Sequence, residues 1–431
     1  MADEEKTLDV GSASASAESS SISAPPAPQP PPIIDPIPDG GVRAWLQVLG
    51  SFFLFLNSWG IVNTFGVYQT YYATALPESP SDISWIGSIQ AYLLLLVGVA
   101  TGPLFDAGYF RHLLFAGSFL VVFGMMMTSI CTRYWEVMLA QAVCVGVGCG
   151  CLFVPSVAII ATYFSRKKAF ATGLAASGSS LGGVIYPIVF HRLQPTIGFG
   201  WATRILGFIM LATLSISLLG MRTRLPPGPA RKLLDIGALH EPPFVLFTSG
   251  MFFGFMGLYI PFFYVQSFAI ETNVMRPDLA FYMLAVMNGA SVFGRIIPNF
   301  VADRVGPLNI LLPGTLAACV LAFGWLGIES SAGLIVFCVL YGFFSGCFVS
   351  IPPTVVVTLS PNPSVIGTRI GMCFAICGLG ILIGTPVAGT LVRKYGFDAA
   401  IGFTGAAVAI GTLILFAART SKVGFRVKVI T

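Results

Sequence analysis

A positive charge inside a hydrophobic segment is the strongest candidate for chemistry in this sequence. Arg295 lies within a run of apolar residues long enough to cross a membrane. A charge at that depth is costly unless it is paired, hydrated or directed at a cavity. Asn288, Ser291 and Asn299 recur with it at spacings of three and four residues, which places one polar stripe on a helix face. We expect the stripe to face a central cavity, where Arg295, Asn288 and Ser291 bind a substrate or gate its passage.

The sequence also allows a structural role for Arg295. Asp303 stands at the end of the same span, and a rise of about 1.5 Å per residue puts the two backbones roughly 12 Å apart along the helix. A guanidinium at that height can extend toward the membrane surface and leave the centre free of charge. Binding of a substrate anion, gating, and a structural or snorkelling role are therefore the alternatives.

Asn63, in the first span, is the second candidate for contact with a substrate. Amides and phenols inside a membrane more often hydrogen-bond to neighbouring helices, so packing is its alternative role. The Asp, Glu and His residues fall at the ends of spans or in loops, and arginine does not deprotonate at ordinary pH. Proton coupling, where it occurs, would then use the substrate itself or a carboxylate at the membrane surface.

Two short charged turns are candidates for a conformational latch. Asp106 and Arg111 follow the second span, and Asp303 and Arg304 follow the eighth. A carboxylate near a helix N-terminus interacts favourably with the helix dipole. We expect these residues to make charge–dipole contacts that hold one conformation closed on the cytosolic side.

The sequence gives no sign of catalysis or of a metal. All nine cysteines fall within or beside hydrophobic segments, as small apolar residues do. A membrane enzyme would need a cluster of His, Asp or Ser–His partners at one membrane face, and the sequence has none. We therefore expect no catalytic residue, no metal site and no cofactor.

The elements that must position these groups are membrane-spanning helices. Hydrophobic residues make up 55% of the chain, charged residues 10%, and the mean hydropathy is +0.85. A span needs about 20 apolar residues to cross about 30 Å of hydrocarbon. The sequence predicts an all-α membrane protein with twelve such spans in two pseudo-symmetric six-helix bundles. The predicted spans are 44–68, 83–102, 113–131, 137–163, 170–190, 205–221, 244–268, 279–302, 310–328, 334–359, 365–392 and 399–418.

The chain divides into five predicted regions. Residues 1–41 form a disordered cytosolic tail, because their Ser, Ala, Pro and acidic residues cannot bury enough apolar surface to fold. The bundles occupy residues 42–221 and 242–418, on either side of a cytosolic linker at 222–241. Residues 419–431 form a short basic cytosolic tail.

The basic residues predict an orientation. With both termini in the cytosol, 16 of the 23 Lys and Arg residues lie on the cytosolic side and six on the other. This is the bias that membrane insertion produces. It also accounts for the basic pI, so nucleic acid is not an expected partner. We expect a multi-pass protein of the plasma membrane whose partners are the lipid bilayer and a small-molecule substrate. The sequence identifies no obligate protein partner.

The two sets of six spans repeat local patterns, as a duplicated carrier does. Glycines four residues apart recur at Gly178 and Gly182 in the fifth span and at Gly380 and Gly384 in the eleventh. Such pairs let helix backbones approach closely, either for static packing or for sliding during transport. Prolines that can bend helices recur at 155, 187, 352 and 386.

Two motifs relate the chain to a known family. Residues 38–45 read PDGGVRAW before the first span, and residues 163–173 read YFSRKKAFATG at the start of the fifth. In these positions the chain resembles the major facilitator superfamily, and within it the fungal members of the monocarboxylate-transporter-like family. The resemblance covers nearly the whole chain from residue 38 onward. It implies a twelve-helix carrier whose two bundles rock about a central site that opens alternately to each side.

The resemblance also bears on the substrate. Its members carry monocarboxylates, aromatic amino acids, vitamins or fungal metabolites, and they place a functional arginine at the position of Arg295. Mammalian monocarboxylate carriers have an acidic residue where this chain has Ser291 and a lysine where it has Asn63. Both differences argue against classical proton–lactate symport. The functions left open are uptake of organic acids, export of a fungal secondary metabolite, and a transporter-like receptor that binds without transporting.

Overall fold

The structure is a computed structural model that describes residues 38–224, 233–361 and 365–424. The predicted tail before residue 38, residues 225–232 of the linker and the last seven residues of the predicted C-terminal tail lie outside these ranges. All regular elements within them are helical. We number the long helices α1 (Val42–Ala75), α2 (Pro80–Asp106), α3 (Phe110–Thr128), α4 (Tyr134–Tyr163), α5 (168–197), α6 (199–220), α7 (Pro242–Glu271), α8 (Pro277–Val305), α9 (Pro307–Gly327), α10 (Ser331–Leu359), α11 (Ile366–Tyr395) and α12 (Phe397–Val423).

The fifth and sixth helices join through a single residue. Hydrogen bonding runs from Lys168 to Gly220 over 53 residues, but Gly198 has φ 79° and ψ 167°, which is not helical. A straight helix of that length would measure about 80 Å, far more than the roughly 30 Å of hydrocarbon. The segment is therefore two spans that meet at Gly198. With this division the described ranges hold twelve long apolar helices, and the predicted fold class is confirmed.

Several predicted ends were wrong. The prediction ended the fifth span at Phe190 and began the sixth at Ile205, whereas the helices extend to the residues flanking Gly198. Hydropathy falls between these points because Arg192, Gln194 and Arg204 are polar, but the backbone remains helical. The last helix likewise continues to residue 423, into the predicted C-terminal tail. The apolar segments therefore end at polar residues, whereas the helices continue past them.

Three spans are interrupted in their second half. α1 breaks at Thr64, α7 at Tyr259 and α10 at Ile351. Pro261 and Pro352 explain the second and third breaks, since proline cannot donate the backbone hydrogen bond of a helix interior. The other three repeated prolines, at 155, 187 and 386, lie inside helices that continue without a break.

The repeated glycine pairs hold helices together within each set of six. Gly178 and Gly182 of α5 face backbone carbonyls of α1, and Gly380 and Gly384 of α11 face those of α7. A Cβ atom at any of the four would overlap the opposing backbone. Since each pair joins two helices of the same set, these contacts support static packing over sliding. The opposing carbonyls belong to Phe52, Leu56, Phe252 and Met256.

Two long antiparallel contacts join the first six helices to the last six. α2 lies along α11, from the Ser81 hydroxyl, 3.2 Å from that of Thr390, to Gly102 beside the carbonyl of Gly367. α5 lies along α8 over a similar length. The second half of α1, after its break at Thr64, also contacts the second half of α7, where Phe65 packs against Phe263. Asn288, Ser291 and Arg295 lie within the contact between α5 and α8, and Asn63 of α1 reaches the same part of α5.

Candidate substrate site

Arg295 is buried without a carboxylate partner. Its side chain lies in the middle of α8, and the residue is 3% exposed. Nε donates to the Ser291 hydroxyl at 3.3 Å and Nη1 donates to the carbonyl of Ala176 at 3.4 Å. Both bonds are long and both acceptors are neutral. Within the described ranges the ion pairs are those of Arg369, and none reaches Arg295.

The polar stripe of α8 packs against α5 in this structure. The Ser180 hydroxyl donates to that of Ser291 at 3.1 Å, and the amide of Asn288 lies against Gly183. Asn299 donates 2.7 Å bonds to the Arg295 carbonyl and to the Ser350 hydroxyl of α10. The side-chain oxygens of Asn288 and Asn299 are buried without a hydrogen-bond partner. The stripe thus retains buried polar groups with unused hydrogen-bonding capacity.

Asn63 reaches the same part of α5. It ends the first half of α1, just before the break at Thr64, and is buried. Its Nδ2 donates to the carbonyl of Ser179 at 3.5 Å, a weak bond. Ser179 lies one turn from Ala176, which accepts from Arg295. The structure therefore brings Asn63, Ser291 and Arg295 around one turn of α5, whereas Asn288 lies farther along that helix.

Two aromatic residues beside these groups were missed from the sequence. Trp59 of α1 and Tyr259 at the break of α7 stack with ring centroids 5.8 Å apart and planes at 18°. Both are 2% exposed, and the Tyr259 hydroxyl has no hydrogen-bond partner. Phe255 stacks on Tyr259, and Phe153 of α4 meets Trp59 edge-on. The spacing of four between Trp59 and Asn63 places both on one face of α1 and could have indicated Trp59.

Asp303 joins α8 to the start of α5. Its carboxylate accepts hydrogen bonds from the backbone N–H groups of Phe170 at 3.1 Å and Ala169 at 3.3 Å. These groups belong to the first turn of α5, where a negative charge is favourable. Arg304 contacts no carboxylate in the described ranges but lies over the Phe300 ring, 4.9 Å from its centroid.

The first charged turn joins α2 to α3. Asp106 is half-buried at the end of α2, and Arg111 is exposed at the start of α3. The latch role of all four residues, Asp106, Arg111, Asp303 and Arg304, stays a prediction.

Replacing Asp303 by asparagine should loosen the contact between α5 and α8. Loss of the charge at the α5 N-terminus costs about 1 kcal/mol, roughly a fivefold shift in population toward an open state. Spin labels at Arg166 and Val305, in a background without reactive cysteines, would report a longer distance by double electron–electron resonance. Glu329→Gln, which changes an exposed carboxylate outside this contact, is the matched control. An unchanged distance distribution in Asp303→Asn would contradict the latch.

Arg369 forms a second polar centre, which was not predicted from the sequence. It is 2% exposed in the first turn of α11. Nη2 and Nη1 donate to the Glu241 carboxylate at 2.6 and 2.8 Å, and Nε donates to Asp235 at 2.8 Å. Nη1 also donates to the carbonyl of Leu359 at 3.2 Å. Arg369 therefore ties the end of the linker to α10 and α11.

This ion pair predicts a pH dependence of stability. The hydrogen bonds from Arg369 lower the pKa of Glu241 below its ordinary value of 4.5. A lowered carboxyl pKa contributes stability above 4.5 that is lost as the pH falls through the lower value of the folded state. Glu241→Gln should lower the melting temperature by a few degrees at pH 7, and its difference from the wild type should vanish in acid. A difference independent of pH would exclude this ion pair as its source.

The two sequence motifs meet in the structure. The Asp39 carboxylate accepts from the backbone N–H groups of Ser165 at 2.5 Å and Arg166 at 2.9 Å, and the Asp39 N–H donates to the carbonyl of Tyr163. These bonds lower the pKa of Asp39. Gly41 has φ 85°, a conformation that favours glycine. Residues 38–41, assigned to the tail from sequence, thus form a contact with the α4–α5 connection.

The described ranges contain no group of three or more His, Cys, Asp or Glu side chains placed to hold a metal ion. The central groups are instead one guanidinium, several neutral polar side chains and stacked aromatic rings. Groups of these kinds offer an organic molecule charge, hydrogen bonds and apolar contact.

Comparison with known proteins agrees with this class of site. The family model of the Major Facilitator Superfamily matches residues 48–368. The chain belongs to this superfamily. An MFS-type transporter of Emericella nidulans, dbaD, is 49% identical over 356 residues, covering 82% of this chain and 80% of the relative. The aspyridones efflux protein apdF of the same fungus is 40% identical over 394 residues, covering 89% and 80%.

A further relative and a solved structure extend the comparison. The agnestins efflux protein AgnL12 of Paecilomyces divaricatus is 36% identical over 392 residues and covers 90% of each chain. The crystal structure of the human organic anion transporter MFSD10 superposes with a TM-score of 0.68, covering 87% of this chain and 100% of the other. At 14% identity, that likeness concerns the fold alone. The chain is therefore a multi-pass membrane transporter, and its fungal relatives include proteins named for metabolite efflux.

Proposed function

We propose that this protein exports an acidic secondary metabolite, which it carries as an anion by alternating access with Arg295 as the counter-charge. The observation that carries the proposal is the buried guanidinium of Arg295, held by two long hydrogen bonds to neutral oxygens. A guanidinium has five N–H donors, so most of its capacity is unused. A carboxylate or an enolate would supply shorter, charge-assisted bonds.

The neighbouring groups support selection of an acid over a neutral compound. Arg295 is buried, so its charge has lost most of its hydration and gains from a negative partner. A neutral substrate would leave that charge uncompensated. Asn63 and Ser291 add polar groups that orient the substrate without adding a competing negative charge. The binding or gating role of Arg295, Asn63, Asn288 and Ser291 is part of this proposal.

The direction and branch are inferred from the relatives and the motifs. Two relatives that align over most of this chain are named for efflux, of aspyridones and of agnestins. The contact between Asp39 and the α4–α5 connection gives the two motifs of the monocarboxylate-transporter-like branch a shared structural role. We assign the chain to that branch, in the plasma membrane with both termini in the cytosol, and to export of a substrate other than lactate.

Metabolite profiling of a strain that lacks the gene tests the proposal. Compounds that accumulate in the cells and disappear from the medium should be acids that are ionised at neutral pH. Complementation with the wild-type gene should restore their export, and the same compounds should move into inverted membrane vesicles that contain the protein. Accumulation of permanently neutral compounds alone would contradict an anionic substrate. Loss from the cells with a gain in the medium would contradict export.

A further inference from the structure

We infer that the substrate acid carries a flat conjugated ring, which binds between Trp59 and Tyr259 while its acidic group binds Arg295. This inference rests on the proposed function and specifies the chemical class of the substrate. It is carried by the stacking of two aromatic rings from different sets of helices beside a buried charge. The expected class is an aryl carboxylic acid or a ring that is acidic through a conjugated hydroxyl group.

The stacked pair lies in a column of aromatic rings. Trp59 and Tyr259 are 5.8 Å apart between centroids, with planes at 18°, and Phe255 stacks with Tyr259 at 6.1 Å and 20°. Phe153 meets Trp59 edge-on at 5.8 Å and 80°. All four rings are buried. A flat ring that enters this column meets aromatic faces and edges, for which a flat conjugated ring is a better partner than a saturated one.

The column adjoins the proposed anion site. The Tyr259 hydroxyl is buried without a hydrogen-bond partner, and Trp59, which stacks on Tyr259, lies one turn before Asn63 in α1. A buried hydroxyl of this kind is costly unless a ligand completes its bonding. Trp59 precedes Gly60, which packs against Gly182 of α5, on the same face that Asn63 reaches. A ring at the stack can therefore place its acidic group at Arg295 and Tyr259 together.

Alternating access provides the opening for the ring. Trp59 belongs to the first six helices and Tyr259 to the last six, so rocking of the two sets separates the stack. A ring inserted between them would hold their planes about 7 Å apart, at about 3.5 Å per contact. A separation of a few ångströms is thus sufficient, and the substrate ring then replaces the contact that each side chain loses. An empty site closes by restoring the stack.

A second stacked pair serves as an internal control. Trp325 and Phe337 are 5.3 Å apart with planes at 24°, but both lie in the last six helices. Both are also buried. Because rocking does not part them, this pair offers no place for a substrate. Truncating Phe337 should therefore disturb packing to a similar degree without altering the selectivity for ligands.

Binding of three matched compounds tests the inference. The probes are 2-naphthoate, its fully saturated decahydro counterpart and 2-naphthamide, titrated against the full-length protein in lipid nanodiscs by calorimetry. We expect 2-naphthoate to bind about two- to tenfold more tightly than the saturated acid, the range given by one aromatic contact. Trp59→Leu should abolish this preference, and Phe337→Leu should retain it. Tyr259→Phe should keep the preference for the flat ring but weaken the binding of both acids.

The outcomes separate the inference from the proposed function. Equal affinity for the two acids, with both weakened by Arg295→Gln, would overturn the aromatic class and leave the anionic substrate standing. Equal affinity for 2-naphthoate and 2-naphthamide, unaffected by Arg295→Gln, would overturn the proposed function. Failure of all three probes to bind would contradict both. The comparison of the probes uses the wild-type protein, so it does not depend on the folding of any variant.

Discussion

Replacing Arg295 by glutamine should reduce transport of the acidic substrate by at least roughly 100-fold. The substitution leaves the substrate carboxylate without its counter-charge, and breaking a buried charge pair costs about 3 kcal/mol or more. Arg295→Lys should retain part of the activity, since an ammonium keeps the charge but not the planar pair of donors. Initial rates in proteoliposomes, with the substrate identified by metabolite profiling, measure the effect. Full activity in Arg295→Gln would contradict the assignment of Arg295 as the counter-charge of the substrate.

The stability of the same variant distinguishes the two roles of Arg295 that the sequence allowed. In the substrate-free protein the guanidinium is a buried charge with neutral partners, so its removal should not lower the melting temperature. A purely structural arginine would instead lower it. Arg393→Gln provides the control, because Arg393 is exposed in the last turn of α11 and belongs neither to the central groups nor to the predicted latch. That variant should transport at nearly the wild-type rate.

Replacing Gly384 by valine should prevent accumulation of folded protein. A side chain at this position would overlap the backbone carbonyl of Met256, so α11 and α7 would have to separate. Overpacking against a backbone that must move costs about 3 kcal/mol or more, a large part of the stability of a typical fold. Fluorescence-detected size-exclusion chromatography of a tagged variant would show loss of the monodisperse peak.

A second glycine to valine substitution controls for the helix itself. Gly402 lies inside α12, and no neighbouring atom lies within 4 Å of a Cβ atom added there. Gly402→Val changes the backbone in the same way as Gly384→Val but meets no opposing helix. It should give a normal chromatographic peak. Equal loss of folded protein in both variants would show that valine, rather than the close contact, is responsible.

The fold could be predicted from hydropathy and residue spacing, because each membrane span is a local property of the sequence. Twelve runs of apolar residues, a single internal arginine and two repeated patterns could be read without knowledge of which helices touch. The ends of α5 and α6 were harder to predict, because polar residues such as Arg192 remain helical beyond the apolar segment. A helix ends where its backbone hydrogen bonds end, whereas hydropathy indicates only whether a segment prefers lipid or water.

The candidate site could be predicted only in part, for a related reason. Arg295 stands out because a charge in an apolar run is anomalous wherever its partners lie. Trp59 is indicated only by its spacing of four from Asn63, and Tyr259 by no spacing, since an aromatic residue in a membrane helix is ordinary until its partner from a distant helix is known. The ion pairs of Arg369 were not predicted, because its partners, Asp235 and Glu241, are more than 120 positions away in the sequence. Contacts between distant helices are not encoded in any local pattern.

The docking of Asp39 on Ser165 and Arg166 constrains how this protein can be recombined with its relatives. The two segments are separated by 126 positions but act as one acceptor and its donors. A chimera with a junction between them would combine the carboxylate of one parent with the connection of another. Exchanges that transfer residues 38–166 as one block keep both sides of the contact together. An exchange of shorter blocks that is intended to change the substrate preference would therefore also change the contact that holds the start of the first helix.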